Sequence, residues 1–145
     1  MAKTLLRPWL CVLAFAWTSS VLADFPADFI RLETQQRYLG QLGDDEPQRF
    51  YFVLDQPAQI TLESSTLSRI NNVHPEATLF DADGRRITSD RMSGEGRNFR
   101  IQRRLEAGTY VLRVDNGRRC GSLYGCPNVN RDYQVLLEIQ EPGRF

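Results

Sequence analysis

Apolar and polar residues alternate through most of this chain. Phe50, Phe52 and Leu54 alternate with Tyr51, Val53 and Asp55, which gives a strand with one strongly apolar face. Asp55-Gln56-Pro57-Ala58 turns the chain, and Ile60 and Leu62 resume the alternation. Ala77-Thr78-Leu79-Phe80 forms a further strand that stops at Asp81-Ala82-Asp83-Gly84, and Arg85-Arg86-Ile87-Thr88 returns from it. Phe99 and Ile101 alternate with Arg100 and Gln102, and Tyr110, Leu112 and Val114 with Val111, Arg113 and Asp115. Tyr133, Val135, Leu137 and Ile139 mark the last strand. Strands at this density, separated by Gly, Pro, Asn and Asp turns, predict an all-β fold, an antiparallel β-sandwich of about eight strands. No long helix-period segment is present to cover a parallel sheet, although a short helix is expected within Phe25 to Arg37. Arg103 breaks the pattern, since alternation from Phe99 and Ile101 points it inward before Leu105. A bulge, a strand end or a partly buried ion pair would each resolve that.

The first 23 residues have a different pattern. Lys3 and Arg7 precede the apolar run Trp9 to Trp17, and polar Thr18-Ser19-Ser20 leads to Val21-Leu22-Ala23. This is the layout of a secretory signal peptide, cleaved before Asp24. An apolar run this short does not span roughly 30 Å of hydrocarbon as a helix. Cys11 lies inside the run after Leu10, which does not suit a lipoprotein cysteine. The mature chain is then 24–145, a single β-sandwich domain with no transmembrane segment, in the periplasm or outside the cell.

Composition narrows the function classes. The 145 residues carry 18 basic and 18 acidic side chains, and loss of Lys3 and Arg7 leaves a small acidic excess in which every base is arginine. That balance argues against a nucleic-acid binder, which normally shows a basic excess. The single histidine, His74, leaves little room for histidine catalysis or a multi-histidine metal site, and no cofactor is expected. Cleavage also removes Cys11, so Cys120 and Cys126 remain as a pair in an oxidising compartment, where a disulfide is the natural reading. Two thiols and one distant histidine do not complete a tetrahedral metal site, and the spacing is not the usual redox one. A bridge closing so short a loop contributes about 2 kcal/mol in the chain-entropy model.

Five motifs, in order, carry a family resemblance. They are Leu39-Gly40-Gln41-Leu42, Phe50-Tyr51-Phe52-Val53-Leu54-Asp55-Gln56-Pro57, Leu79-Phe80-Asp81-Ala82-Asp83-Gly84, Leu105-Glu106-Ala107-Gly108-Thr109-Tyr110 and Asp132-Tyr133-Gln134-Val135. Over about residues 37–140 the chain resembles the bacterial pre-peptidase C-terminal domain. The resemblance implies a jelly-roll-like sandwich on exported proteins. Members usually sit beside a protease or another secreted enzyme, and some bind calcium, collagen or carbohydrate. Here no enzyme domain accompanies the motifs, which favours a separate binding or inhibitory role. Most of the motif residues have fold-making roles: Asp81 to Gly84 supplies tight-turn chemistry, and Tyr110 and Tyr133 offer apolar bodies with hydroxyls that reach the sandwich edge.

Several constellations compete as sites. Ser89-Asp90 and His74 are triad residue types, but nothing positions a base against a nucleophile, and His74 beside Pro75 reads as an exposed loop residue. Catalysis is not expected. Asp44-Asp45-Glu46, Asp81, Asp83 and Asp90 cluster oxygen ligands for calcium, yet tight turns use the same residues. Arg100, Gln102 and Arg104 would share the outward face of one strand, with Arg113 joining from a neighbour. Such a stripe suits a sulfated or uronic polysaccharide, a lipid phosphate or an acidic protein surface, or else it is a solvated face with paired acids. The strongest candidate is the connection Asn116 to Arg131, where a Cys120–Cys126 bridge would hold Leu123 and Tyr124 in a small ring beside Arg118 and Arg119. Long connections are often functional, and Tyr and Arg are enriched at binding hot spots. The chain is therefore expected to bind an extracytoplasmic protein or polysaccharide without catalysis. An inhibitor or accessory of an envelope or secreted enzyme is the alternative, and a calcium-dependent structural module a further one.

Overall fold

The computed structural model describes residues 25–66, 73–117 and 130–141. Nine strands run through them: β1 (Phe29–Arg31), β2 (Arg37–Gln41), β3 (Gln48–Leu54), β4 (Ala58–Thr66), β5 (Pro75–Asp81), β6 (Arg86–Asp90), β7 (Arg100–Leu105), β8 (Gly108–Asn116) and β9 (Asp132–Gln140). They form two sheets, one ordered β1-β3-β8-β5-β6 and the other β2-β9-β4-β7. The all-β sandwich expected from the alternation is the observed fold, with one more strand than expected. The named strands pair antiparallel except β1, which runs parallel to β3.

Period-two patterning builds the core directly. Phe50, Phe52 and Leu54 of β3, Leu112 and Val114 of β8 and Leu79 of β5 are buried from one sheet. Ile60 and Leu62 of β4, Ile101 of β7 and Tyr133, Val135 and Leu137 of β9 are buried from the other. Successive side chains on a strand leave opposite faces, so each alternating segment contributes every second residue to this layer. The ring of Tyr110 stacks on Phe52 with centroids 5.5 Å apart. Its hydroxyl donates to the Glu106 carbonyl at 2.8 Å, and burial pushes that phenol's pKa up, aided by the charges of Glu106 and Asp81. The Tyr133 hydroxyl hydrogen-bonds Gln48.

The turn after β5 follows its sequence. The Asp81 carboxylate accepts from the backbone N–H groups of Asp83 and Arg85, each at 2.9 Å, and Gly84 takes the positive φ of 77° that other residues resist. Two other expectations fail. No helix forms in Phe25 to Arg37, where the chain is extended through β1. Phe25 stacks on Tyr51 at 4.4 Å, Leu32 enters the core, and the Leu32 N–H donates to the Tyr51 carbonyl at 2.8 Å. The open side of β3 supplies hydrogen bonds that override the local helical spacing. Arg103 stays in regular register opposite Ile60, with no bulge, and is exposed. Because β7 is the last strand of its sheet, a long side chain on the inner face escapes past the rim to water.

Candidate functional site

The connection between Asn116 and Arg131 joins β8 to β9, strands of different sheets, so it passes from one layer to the other. Both of its feet are fastened to one carboxylate. Asp44, between β2 and β3, accepts a two-pronged pair from Arg131, Nη1 to Oδ1 at 2.8 Å and Nη2 to Oδ2 at 2.9 Å. Asn116 Nδ2 donates to the same Oδ1 at 3.1 Å. Asn116 Oδ1 in turn accepts the His74 N–H at 3.1 Å, and the Gly117 N–H donates to the His74 carbonyl at 2.8 Å. Backbone bonds close the other side, where the Leu42 N–H donates to the Arg131 carbonyl at 3.0 Å.

This clamp is partly shielded: the Arg131 and Asp44 side chains are 31% and 26% exposed, and Asn116 is buried. A bidentate guanidinium–carboxylate pair in that setting fixes orientation better than a flexible surface pair. The Arg131 hydrogen bonds and charge, with help from Asn116, outweigh desolvation and hold the Asp44 carboxyl below its usual range. The same contacts raise Arg131, so the pair stays charged across the neutral range.

His74 is half-buried rather than an exposed loop residue, with Nε2 2.6 Å from Arg97 Nη1 and its backbone holding both Asn116 and Gly117. Four of the six calcium-candidate carboxylates, Asp44, Asp81, Asp83 and Asp90, have partners of their own. Asp44 holds Arg131, Asp81 and Asp83 bind Arg85, and Asp90 accepts from Ser93 and from the Arg100 N–H. Burial pushes Asp90 up, but its hydrogen bonds outweigh that and leave its pKa lowered. Among the described residues no three His, Cys, Asp or Glu side chains gather as a metal-binding group. Ser89 and Asp90 line an open cleft of about 400 Å³ with Glu76, Thr78, Arg91 and Asp115.

The arginine stripe is divided by the fold. Arg100, Gln102 and Arg104 alternate on β7 and are all exposed, and Arg100 pairs with Glu63 at 3.0 Å. Arg113 does not join them. It lies on β8 in the other sheet, opposite Arg49, and pairs with Asp115 at 2.8 Å. Arg118, Arg119, Cys120, Leu123, Tyr124 and Cys126 lie outside the described residues, as does the leader 1–23. Reading the sequence missed Asp44, Asn116 and Arg131 as a unit. The one available signal was that Asn116 and Arg131 bound the long connection; nothing local ties them to Asp44.

This architecture occurs in solved structures. The crystal structure of the pre-peptidase C-terminal domain of a collagenase from Bacillus anthracis matches 79% of this chain and 99% of its own, at 14% identity and a TM-score of 0.55. The chain has the pre-peptidase C-terminal domain fold. Aeromonas hydrophila PliG, a periplasmic lysozyme inhibitor of g-type lysozyme, shares it as well. That match covers 77% of this chain and 96% of PliG, at 13% identity and a TM-score of 0.56. No protein-family model and no curated protein matches the chain by sequence. Among the described residues no helix is long and apolar enough to cross a membrane.

Proposed function

We propose that this chain is an exported, non-catalytic β-sandwich that binds an extracytoplasmic protein through the connection from Asn116 to Arg131. The observation that carries the reading is the clamp. A connection whose two feet converge on Asp44 starts and ends at defined points, which reduces the entropy lost when it meets a partner. Arg118, Arg119, Leu123 and Tyr124, in a ring closed by Cys120 and Cys126, supply the contact chemistry. The sharing of this fold with a periplasmic inhibitor favours a protein partner over a polysaccharide and an enzyme cleft as the place where the connection docks. A g-type lysozyme is the first enzyme to test.

The experiment pairs binding with stability. The purified chain is immobilised and exposed to the native cell envelope, the culture medium and a g-type lysozyme, and captured proteins and sugars are identified. Alanine at Arg118, Arg119 and Tyr124 together is expected to abolish capture while moving Tm little, since substitutions in exposed loops usually stay within about 0.5 kcal/mol. Intact capture alongside a collapsed Tm makes the connection structural and removes the reading. Enriched polysaccharide without protein replaces the partner class.

A further inference from the structure

Among the described residues, β7 is the last strand of the four-stranded sheet, and no strand pairs with its outer side. The Phe99 carbonyl accepts from the Ser64 N–H at 3.1 Å, toward β4, and the Arg100 N–H points the other way, donating to Asp90 at 2.9 Å. In an antiparallel ladder each residue directs its N–H and C=O to the same side, and the side alternates along the strand. The register from Arg100 to Leu105 against Glu63 to Ala58 is unbroken. Ile101, Arg103 and Leu105 therefore bond β4, whereas Gln102 and Arg104 direct both backbone groups away from the sheet. Asp90 caps the first outward position. Among the described residues nothing hydrogen-bonds the outward groups of Gln102 or Arg104.

The charges along this edge are one-sided. Arg100 is matched by Glu63, but Arg103 and Arg104 are exposed with no ion pair among the described residues. Arg104 leaves the outer face and Arg103 the inner, so a strand laid along the edge meets a guanidinium on each side. A second copy of β7 would bring arginines against arginines, which disfavours self-pairing.

We propose that the β7 edge takes up an extended, acidic protein segment as an added strand. Backbone bonds to Gln102 and Arg104 would give affinity, and Arg103 and Arg104 would select carboxylates. The proposal rests on the reading of the chain as a binding module and adds a second docking element, carried by β7.

The test uses the full chain and a short synthetic peptide of alternating glutamate and threonine, with a lysine–threonine peptide and dextran sulfate as comparisons. Amide hydrogen exchange should slow at Gln102 and Arg104 when the acidic peptide is added, while Arg103, already bonded to β4, changes little. The lysine peptide should not bind. Gln102→Pro removes an outward N–H at an edge position that tolerates proline, and is expected to weaken binding about tenfold. The double variant Arg103→Glu, Arg104→Glu should weaken it at least as much. Unchanged exchange at Gln102 and Arg104 overturns the proposal, as does binding of dextran sulfate but not of the peptide. The triple alanine variant at Arg118, Arg119 and Tyr124 separates the two readings. It should keep the acidic peptide and lose the captured protein, and loss of the peptide in that variant overturns the assignment to β7.

Discussion

At its start β8 is fastened by a neutral hydrogen bond, from the Tyr110 hydroxyl to the Glu106 carbonyl, over a ring stacked on Phe52. At its end the fastening is charged, with Asp44 joining Asn116 to Arg131. The first tether spans four residues and belongs to the apolar layer. The second links positions 87 residues apart in sequence and defines where the long connection begins and ends. A local neutral tether stabilises a corner of the fold. A distant ionic one ties together parts of the fold that the sequence keeps far apart.

The largest expected effect comes from removing the apolar support. Phe52→Ala should cost about 3–5 kcal/mol and loosen the Tyr110 end more than the Asp44 end, which amide exchange at Tyr110 and Asn116 would reveal. Equal loosening at both ends would dissolve the distinction. Asp44→Ala leaves a guanidinium and a buried amide without their shared acceptor. It should lower Tm less than Phe52→Ala does but raise exchange sharply at Asn116 and Gly117.

Opposite pH responses sharpen the contrast. The Asp44 pKa is depressed in the fold, so its stabilisation is full above the unfolded carboxylate pKa of about 3.9 and is lost as pH falls through the lower folded value. The Tyr110 pKa is raised, so its contribution is full below the unfolded phenol pKa of about 10 and is lost as pH rises through the higher folded one. Exchange followed against pH should open Asn116 and Gly117 first in acid and Tyr110 first in alkali. The turn at Asp81, also depressed by its hydrogen bonds from Arg85 and Asp83, should loosen in acid as well. The smallest effect is that of Tyr110→Phe, which removes one neutral hydrogen bond and should cost about 0.5–1.5 kcal/mol by chemical denaturation. A larger loss would mean that the hydroxyl does more than close the corner.

Most of the core was legible because in-or-out placement on a strand is local. Phe50, Phe52, Leu112, Val135 and Leu137 are buried where the alternation puts them. The turn from Asp81 to Gly84 was equally legible, since its carboxylate bonds N–H groups within four residues. The helix expected in Phe25 to Arg37 was a misreading of residues whose spacing suits a helix, but whose partners, Tyr51 and the β3 backbone, lie further along the chain. The candidate site was less legible. Arg100 and Arg104 do share a face, but Arg113 is not on a strand beside theirs, because β8 lies in the other sheet.

The sequence by itself determined which segments are strands, which face of each is apolar and where the chain turns, because those properties arise from geometry repeating every second residue. Only the tertiary structure decided which strands are neighbours, that β7 comes last in its sheet among the described residues, and that Asp44 receives both ends of the connection. Those outcomes depend on how two apolar layers close over one another. Closing them brings together residues whose separation along the chain says nothing of their distance in space.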